Sequence, residues 1–81
     1  MRYEIEWKPR VRKDLKSVPE SDPSRILARI KDLANNLAGD VKHLTEHSPE
    51  YRLWVGAYRV LFEIGAGKII MYRVLRRRDA Y

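Results

Sequence analysis

Apolar and polar residues follow two different periods along this chain of 81 residues, and each period predicts a different element. From residue 2 to residue 7 aromatic or aliphatic residues alternate with charged ones, which is typical of a half-buried strand. Pro9 then suits the first turn of a helix. Val11, Leu15 and Val18 recur at helical spacing until Pro19, so we expect a short helix with a basic outer face.

A second helix is predicted after the turn at 20–22. Asp22 can cap it, Pro23 suits its first turn, and an apolar stripe continues as far as Leu37, before Gly39. We expect the two helices to pair as a hairpin. Residues 40–50 have no sustained period, so the sequence predicts a connecting loop there.

The remaining residues predict an antiparallel meander of three strands, 51–55, 58–64 and 68 to about 75, joined by tight turns. Because side chains alternate between faces, one face is apolar and should cover the helices. It collects Tyr51, Leu53, Val55, Tyr58, Val60, Phe62, Ile64, Ile70, Tyr72 and Val74. The opposite face is basic with apolar patches, and it collects Arg52, Trp54, Arg59, Leu61, Glu63, Met71, Arg73 and Leu75.

Positive charge is concentrated in this C-terminal part of the chain. Residues 52–81 hold seven of the seventeen Lys and Arg but only two of the eleven acidic residues, and so carry +5 of the formal net charge of +6. Since these residues are predicted to form strands, the charge is fixed on a sheet, as recognition of a specific polyanion requires. Charge alone does not decide whether the anionic partner is nucleic acid, an acidic protein or a membrane surface.

The amino-acid composition bears on the cellular location of the protein and on the kinds of site it can hold. The chain has no cysteine, which predicts neither a disulfide framework nor a thiolate metal site and favours an intracellular location. No apolar run approaches the ~20 residues of a membrane span, and the first residues are charged, unlike a signal peptide. We therefore expect one cytoplasmic domain over residues 1–81. His43 and His47 lie in the predicted loop without a third ligand, so no metal or cofactor is expected.

Turn lengths suggest how the basic face is arranged. A two-residue turn at 56–57 would place Trp54 opposite Arg59, and a three-residue loop over 65–67 would place Arg59 opposite Arg73. Two opposed arginines repel unless an anion such as phosphate bridges them. The register therefore predicts a phosphate site, and Trp54 at its edge can either stack on a base or cover the sheet by packing on arginine stems.

The order of short motifs in this region resembles one family of proteins. Tyr51-Arg52-Leu53, Gly56, Tyr58-Arg59-Val60 and a terminal Arg-Arg-x-x-x-Tyr over 76–81 are similar to the RelE/ParE superfamily of bacterial and archaeal toxins. The resemblance covers nearly the whole chain. It implies an α+β, RelE-like fold (β-α-α-β-β-β), in which a two-helix hairpin packs on an antiparallel sheet made of the N-terminal strand and the C-terminal meander.

Function differs between the branches of this superfamily. RelE-type members cut mRNA in the ribosomal A site with a basic and aromatic cluster, whereas ParE-type members inhibit DNA gyrase and lack that cluster. Cleavage by an internal 2′-hydroxyl needs a proton acceptor, cations beside the phosphate and a proton donor, but no metal. Matched to the RelE-type pattern, the catalytic residues are Arg52, Arg59, Arg77 and Tyr81, of which Tyr81 would orient or activate the nucleophile and stack on a base. The RNA-binding residues are Trp54, Arg73, Arg76 and Arg78.

Two residues depart from the RelE-type pattern. Arg76 stands where relatives often have a histidine or lysine, and arginine is a poor proton donor because its pKa lies far above neutrality. Trp54 stands where many RelE-type members have a lysine or arginine. These two residues favour a ParE-like gyrase inhibitor or a catalytically weak binding relative, whereas Arg59, Arg77 and Tyr81 favour the nuclease. A non-toxic RNA-binding module is a third reading.

The resemblance also implies partners. A cognate antitoxin is expected in either toxin branch, and the ribosome with its mRNA is expected for the RelE type. The alternative is that these residues have no role in catalysis, the arginines forming an ordinary solvated basic surface and Tyr81 lying in a frayed chain end.

Overall fold

The computed structural model describes residues 2–19, 22–46 and 48–76. The elements are β1 (Glu4–Trp7), α1 (Pro9–Lys16), α2 (Asp22–Leu33), β2 (Asp40–His43), β3 (Tyr51–Val55), β4 (Tyr58–Gly65) and β5 (Lys68–Arg76). Within the described residues the strands form one five-stranded sheet, ordered β1-β5-β4-β3-β2, and both helices pack on one side of it. The expected fold class, two helices on a sheet completed by a C-terminal meander, is confirmed.

The sheet differs from the expected one at both edges. β1 pairs with β5 in parallel, with Glu4 beside Lys68 and Trp7 beside Met71, so the sheet is mixed instead of wholly antiparallel. An alternating pattern identifies a strand but does not choose its partner or direction. At the other edge, residues 40–43 form β2 instead of loop, because backbone hydrogen bonds to β3 hold a strand whose side chains are mostly polar.

Each helix begins where the sequence predicts, but α2 ends early. Its buried residues Ile26, Ile30 and Leu33 form the predicted stripe, and the helix stops at Leu33 instead of Leu37. There the chain turns through two residues with positive φ, 64° and 57°, at 36 and 37. The Ala34 carbonyl accepts a hydrogen bond of 2.7 Å from the Tyr3 N–H, which ties the end of the helix to the N-terminal strand.

A β-bulge in β5 reverses the faces expected for part of that strand. Phe62 pairs with Met71 but Leu61 pairs with Arg73, so Tyr72 is the extra residue. As a result Ile69 and Met71 are fully buried, and the prediction that Ile70 and Tyr72 face the helices is wrong. The apolar run 69–72 suits either phase of alternation, which is why the pattern gave no sign of the bulge.

The core lies between the helices and the sheet. Its most deeply buried side chains are Phe62, Ile26, Ile30, Leu33, Leu53, Ile69, Met71, Val11 and Val60. The edge of this core is covered by partly buried residues that include Tyr3, Ile5 and Leu37. The N-terminal strand and the chain after α2 therefore share the same core. In the described part of the chain no helix has the length and apolar character needed to cross a membrane.

Candidate functional site

The sheet has a second face, turned away from the helices, which we call the open face. Its members follow from the register of β2 to β5, since paired residues share a face. They include Asp40, Lys42, Arg52, Trp54, Arg59, Leu61, Glu63, Ile70, Arg73 and Leu75. Most of the predicted site residues that the structure describes therefore lie on one surface.

Three of these residues form a cluster on the open face, on β3 and β4 and near the turn that joins them. Trp54 pairs with Arg59 across the β3–β4 hairpin, which confirms that predicted register. The Cζ atom of Arg52 lies 4.0 Å from the centroid of the Trp54 ring, and that of Arg59 lies 5.6 Å from it. Both distances are within the range of cation–π attraction. We call Arg52, Trp54 and Arg59 the arginine–tryptophan cluster, in which cationic groups are held beside an aromatic ring.

Arg52 is held in this cluster by the edge strand. Its Nη1 donates to the Asp40 carbonyl over 2.9 Å and lies 3.4 Å from Asp40 Oδ1. Arg52 is only 8% exposed, so its charge is fixed inside the sheet surface instead of extending into solvent. Sequence reasoning missed Asp40 because residues 40–43 were expected to be a loop, and only the pairing of β2 with β3 brings it to Arg52.

The predicted register that places Arg59 opposite Arg73 is wrong. The two-residue turn Ala66–Gly67, in which both residues have positive φ, together with the bulge at Tyr72 shifts the register. Arg59 therefore pairs with Leu75, and Arg73 pairs with Leu61. These two arginines are not opposed, and the repulsion that a bridging anion was expected to relieve does not arise.

Arg73 binds a carboxylate of the protein instead. Its Nε donates to Asp14 Oδ2 over 2.8 Å and its Nη2 donates to Asp14 Oδ1 over 3.1 Å. Asp14 Oδ2 also accepts the Val74 N–H over 2.9 Å. The hydrogen bond that Arg73 donates to Asp14, aided by the negative charge of that carboxylate, raises the pKa of Arg73 above its usual value, while burial opposes the rise. Arg73 thus stays charged and joins α1 to β5.

The remaining predicted site residues lie apart from the cluster or outside the described residues. Arg76 pairs with the buried Tyr58, so by register it belongs to the helix side of the sheet, where it is exposed. Arg77, Arg78 and Tyr81 lie outside the described residues. Among the predicted site residues that are described, the structure brings together Arg52, Trp54 and Arg59 and separates Arg73 and Arg76 from them.

A polar group next to this cluster was not predicted. The Tyr72 hydroxyl donates to Glu63 Oε1 and the Ser48 hydroxyl to Glu63 Oε2, each over 3.4 Å. Lys8 Nζ lies 5.6 Å from the centroid of the Tyr72 ring. This part of the open face has mixed charge, in contrast to the cationic cluster. The bulge at Tyr72 belongs to this arrangement, and the alternation of apolar residues in the sequence does not reveal that bulge.

Known proteins resemble this chain over nearly its full length. The family model of the ParE toxin of the type II toxin-antitoxin system, parDE, matches residues 5–81. Toxin RelE3 of Methanocaldococcus jannaschii is 36% identical over 74 residues, which cover 85% of this chain and 84% of that protein.

Solved structures show the same similarity. A RelB-RelE antitoxin-toxin complex from Methanococcus jannaschii contains a chain with a TM-score of 0.78 and 34% identity, covering 94% of both chains. A chain of the toxin-antitoxin complex RelBE2 from Mycobacterium tuberculosis has a TM-score of 0.80 over 95% of this chain and 100% of that one, and at 21% identity it supports the fold alone. The sequence motifs, the helix pair on the sheet, the family match and the identity to a RelE toxin agree, and this chain belongs to the RelE/ParE superfamily of toxins of toxin-antitoxin systems.

Proposed function

We propose that this toxin is a RelE-type endoribonuclease that cuts mRNA in the ribosomal A site. The observation that carries the proposal is the arginine–tryptophan cluster, where the Arg52 and Arg59 guanidiniums lie 4.0 and 5.6 Å from the Trp54 ring centroid on the open face of the sheet. Guanidinium groups match phosphate oxygens, and an indole ring can stack on a nucleobase. The two kinds of contact together suit RNA.

The reaction proposed is an internal transesterification. The 2′-oxygen forms a bond to the adjacent phosphorus, the bond from phosphorus to the 5′-oxygen breaks, and a 2′,3′-cyclic phosphate and a 5′-hydroxyl result. The proton of the 2′-hydroxyl must be removed and one must be supplied to the 5′-oxygen. Negative charge grows on the phosphate oxygens, and the guanidinium of Arg59 is the group that we assign to stabilise it.

The residues of the cluster contribute differently. Arg52 is buried and hydrogen-bonded to Asp40, so we assign it to holding Trp54 and adding positive potential instead of moving to the phosphate. Trp54 is assigned to base stacking. Arg77 and Tyr81 are proposed from the family resemblance alone, Arg77 as a further phosphate ligand and Tyr81 as the group that orients or activates the nucleophile.

We also propose a cognate antitoxin as a partner. The RelE-type chains to which this protein is similar are found in complexes with RelB antitoxins. The excess of basic residues over acidic ones, 17 against 11, favours an antitoxin with an acidic docking segment. When it is not bound to the antitoxin, the toxin would act on mRNA bound to ribosomes in the cytoplasm.

The test is cleavage by purified toxin in a translating ribosome system, with mRNA 5′ ends mapped. Cuts at A-site codons are expected, and Arg59→Ala and Tyr81→Phe should each lower their rate by about 100-fold or more, since each removes a group acting in the transition state. Arg10→Ala is the matched control, because Arg10 is exposed on α1 and away from the open face. Folded protein that leaves the mRNA intact would refute the proposal.

A second candidate function is ParE-like inhibition of DNA gyrase. It is favoured by the engagement of two predicted site arginines with the protein itself, Arg52 with Asp40 and Arg73 with Asp14, which leaves fewer cations for a substrate phosphate. A supercoiling assay with purified gyrase tests it. Inhibition of supercoiling without A-site cleavage would favour this function, whereas cleavage without inhibition would exclude it.

A further inference from the structure

A second basic surface lies at the end of the sheet, beside the arginine–tryptophan cluster. We propose that Arg25 and Arg29 of α2 bind the phosphodiester backbone of a single RNA strand as it leaves Trp54. The inference rests on the proposed ribonuclease function and deepens it by assigning a path for the RNA outside the reacting centre.

The surface is a cleft of about 350 Å³ between α2 and the ends of β2 and β3. Its lining residues are Arg25, Arg29, Gly39, Asp40, Leu53, Trp54, Val55 and Gly56. Trp54 lines this cleft and belongs to the cluster, so the two surfaces meet at this residue, at the end of β3. A strand that stacks a base on Trp54 would have to pass around the β3–β4 turn to bring its backbone to Arg25 and Arg29.

The two arginines of the cleft are placed to act together. Arg25 and Arg29 are four residues apart on α2, so they lie on the same side of the helix one turn apart, and both are exposed. Arg25 Nη1 would lie 3.3 Å from a Cβ built at Gly56, so the guanidinium is close to the β3–β4 turn. A glycine at this position, with φ of +56°, gives the turn its shape and leaves the arginine room.

Carboxylates near the cleft do not cancel this charge. Arg29 Nη1 lies 3.8 Å from Asp32 Oδ2, but both side chains are about three-fifths exposed, 60% and 61%, and such surface pairs are weak. Asp40 also lines the cleft, and its carboxylate lies 3.4 Å from Arg52 Nη1. With Asp40 partly neutralised by Arg52, the cleft presents a net positive charge from the α2 arginines.

The test is equilibrium binding of a short fluorescent oligoribonucleotide with 2′-O-methyl sugars, which the proposed reaction cannot cleave. We expect Arg25→Ala/Arg29→Ala to weaken binding roughly tenfold at about 0.1 M salt and to reduce the slope of log affinity against log salt by about 1.4, which corresponds to two phosphate contacts. The matched control is Arg10→Ala/Lys13→Ala, which removes two exposed cations of α1 and should change both quantities much less.

A charge-preserving variant separates charge from geometry. Arg25→Lys/Arg29→Lys should keep the salt slope but bind less tightly than the natural protein, because lysine lacks the two-pronged donor geometry of arginine. Circular dichroism checks that all variants are folded. Equal affinity of the alanine variant and its control, or no binding of the oligonucleotide by the natural protein, would overturn the inference.

Two further measurements separate this inference from the function on which it rests. If the natural toxin cuts A-site codons but oligonucleotide binding ignores Arg25 and Arg29, the inference fails and the proposed function stands. If binding depends on both arginines but no cleavage occurs, the proposed function fails and the RNA site remains. Displacement of the oligonucleotide by a polyglutamate peptide of equal charge, at equal concentration, would show a general anion surface and refute the RNA assignment.

Discussion

Asp14 shows how one side chain can join two elements. Its carboxylate accepts both prongs of Arg73 and the Val74 N–H, and its side chain is 10% exposed. Asp14→Asn would lose the charge and part of this bonding while keeping the shape of the side chain. We expect a decrease of about 2 kcal/mol in the free energy of unfolding, because hydrogen bonds to buried charged groups are lost. Urea denaturation measures it.

The control for that experiment is Asp32→Asn, which also removes a carboxylate from a pair with arginine. Asp32 and Arg29 are both exposed, so the free energy of unfolding should change by about 0.5 kcal/mol or less. A similar change in both variants would mean that the Asp14 contacts add nothing beyond an ordinary surface charge pair.

Gly39 is a residue at which only glycine suits the backbone. Its φ is +121°, and a Cβ there would lie 2.8 Å from Leu53 Cδ1. Gly39→Ala should therefore lower the free energy of unfolding by roughly 1–3 kcal/mol, from backbone strain and the clash with a fully buried leucine. Gly65→Ala is the comparison, since Gly65 has no positive φ and nothing within 4 Å of the added atom. Unfolding curves of the two variants that coincide would contradict this explanation.

At the scale of elements, the bulge in β5 decides which apolar residues enter the core. Ile69 is fully buried and Ile70 is only half-buried on the opposite face. Ile69→Ala should cost about 2–5 kcal/mol in the free energy of unfolding, as for other large-to-small changes in a core, and Ile70→Ala about 1 kcal/mol or less. If Ile70→Ala proved the more damaging change, the bulge would have been assigned to the wrong position. Chemical denaturation of the two variants under identical conditions makes this comparison.

Local signals predicted the elements whose structure is set by neighbouring residues. The start of α1 at Pro9 and that of α2 at Asp22 follow from a proline in the first turn of each helix, and the pairing of Trp54 with Arg59 follows from a short turn. The cluster on the open face was predictable for that reason. Its sequence also carried the family resemblance.

Long-range contacts explain what the sequence pattern did not predict. β2 has polar side chains and exists as a strand through its backbone pairing with β3. The end of α2 is set by its contact with the N-terminal strand. The Asp14–Arg73 pair joins residues 59 positions apart, so no local spacing indicates it. The pairing of Arg73 with Leu61 depends on the bulge at Tyr72, so it could not be predicted without knowing that the bulge exists.

At the scale of the whole molecule, charge is distributed unevenly over a small body. Residues 52–81 carry +5 of the net charge of +6, and the described part of that segment is the central sheet. On the open face, Arg59 lies near the start of β4, beside Trp54, while Glu63 and its hydrogen-bond partner Tyr72 lie toward the other end of that strand. Such asymmetry orients a protein before contact with a polyanion and raises its association rate.

This distribution predicts how the proposed binding to the ribosome depends on salt. With about four phosphate contacts, the logarithm of the association constant should fall with log salt at a slope of about −3, because each contact releases condensed counterions. Cosedimentation with ribosomes over a salt series measures this slope, and circular dichroism over the same series checks that the toxin stays folded. A slope shallower than about −1 would mean that apolar or protein contacts dominate docking. In that case the basic sheet would act on the bound mRNA without guiding the toxin to the ribosome.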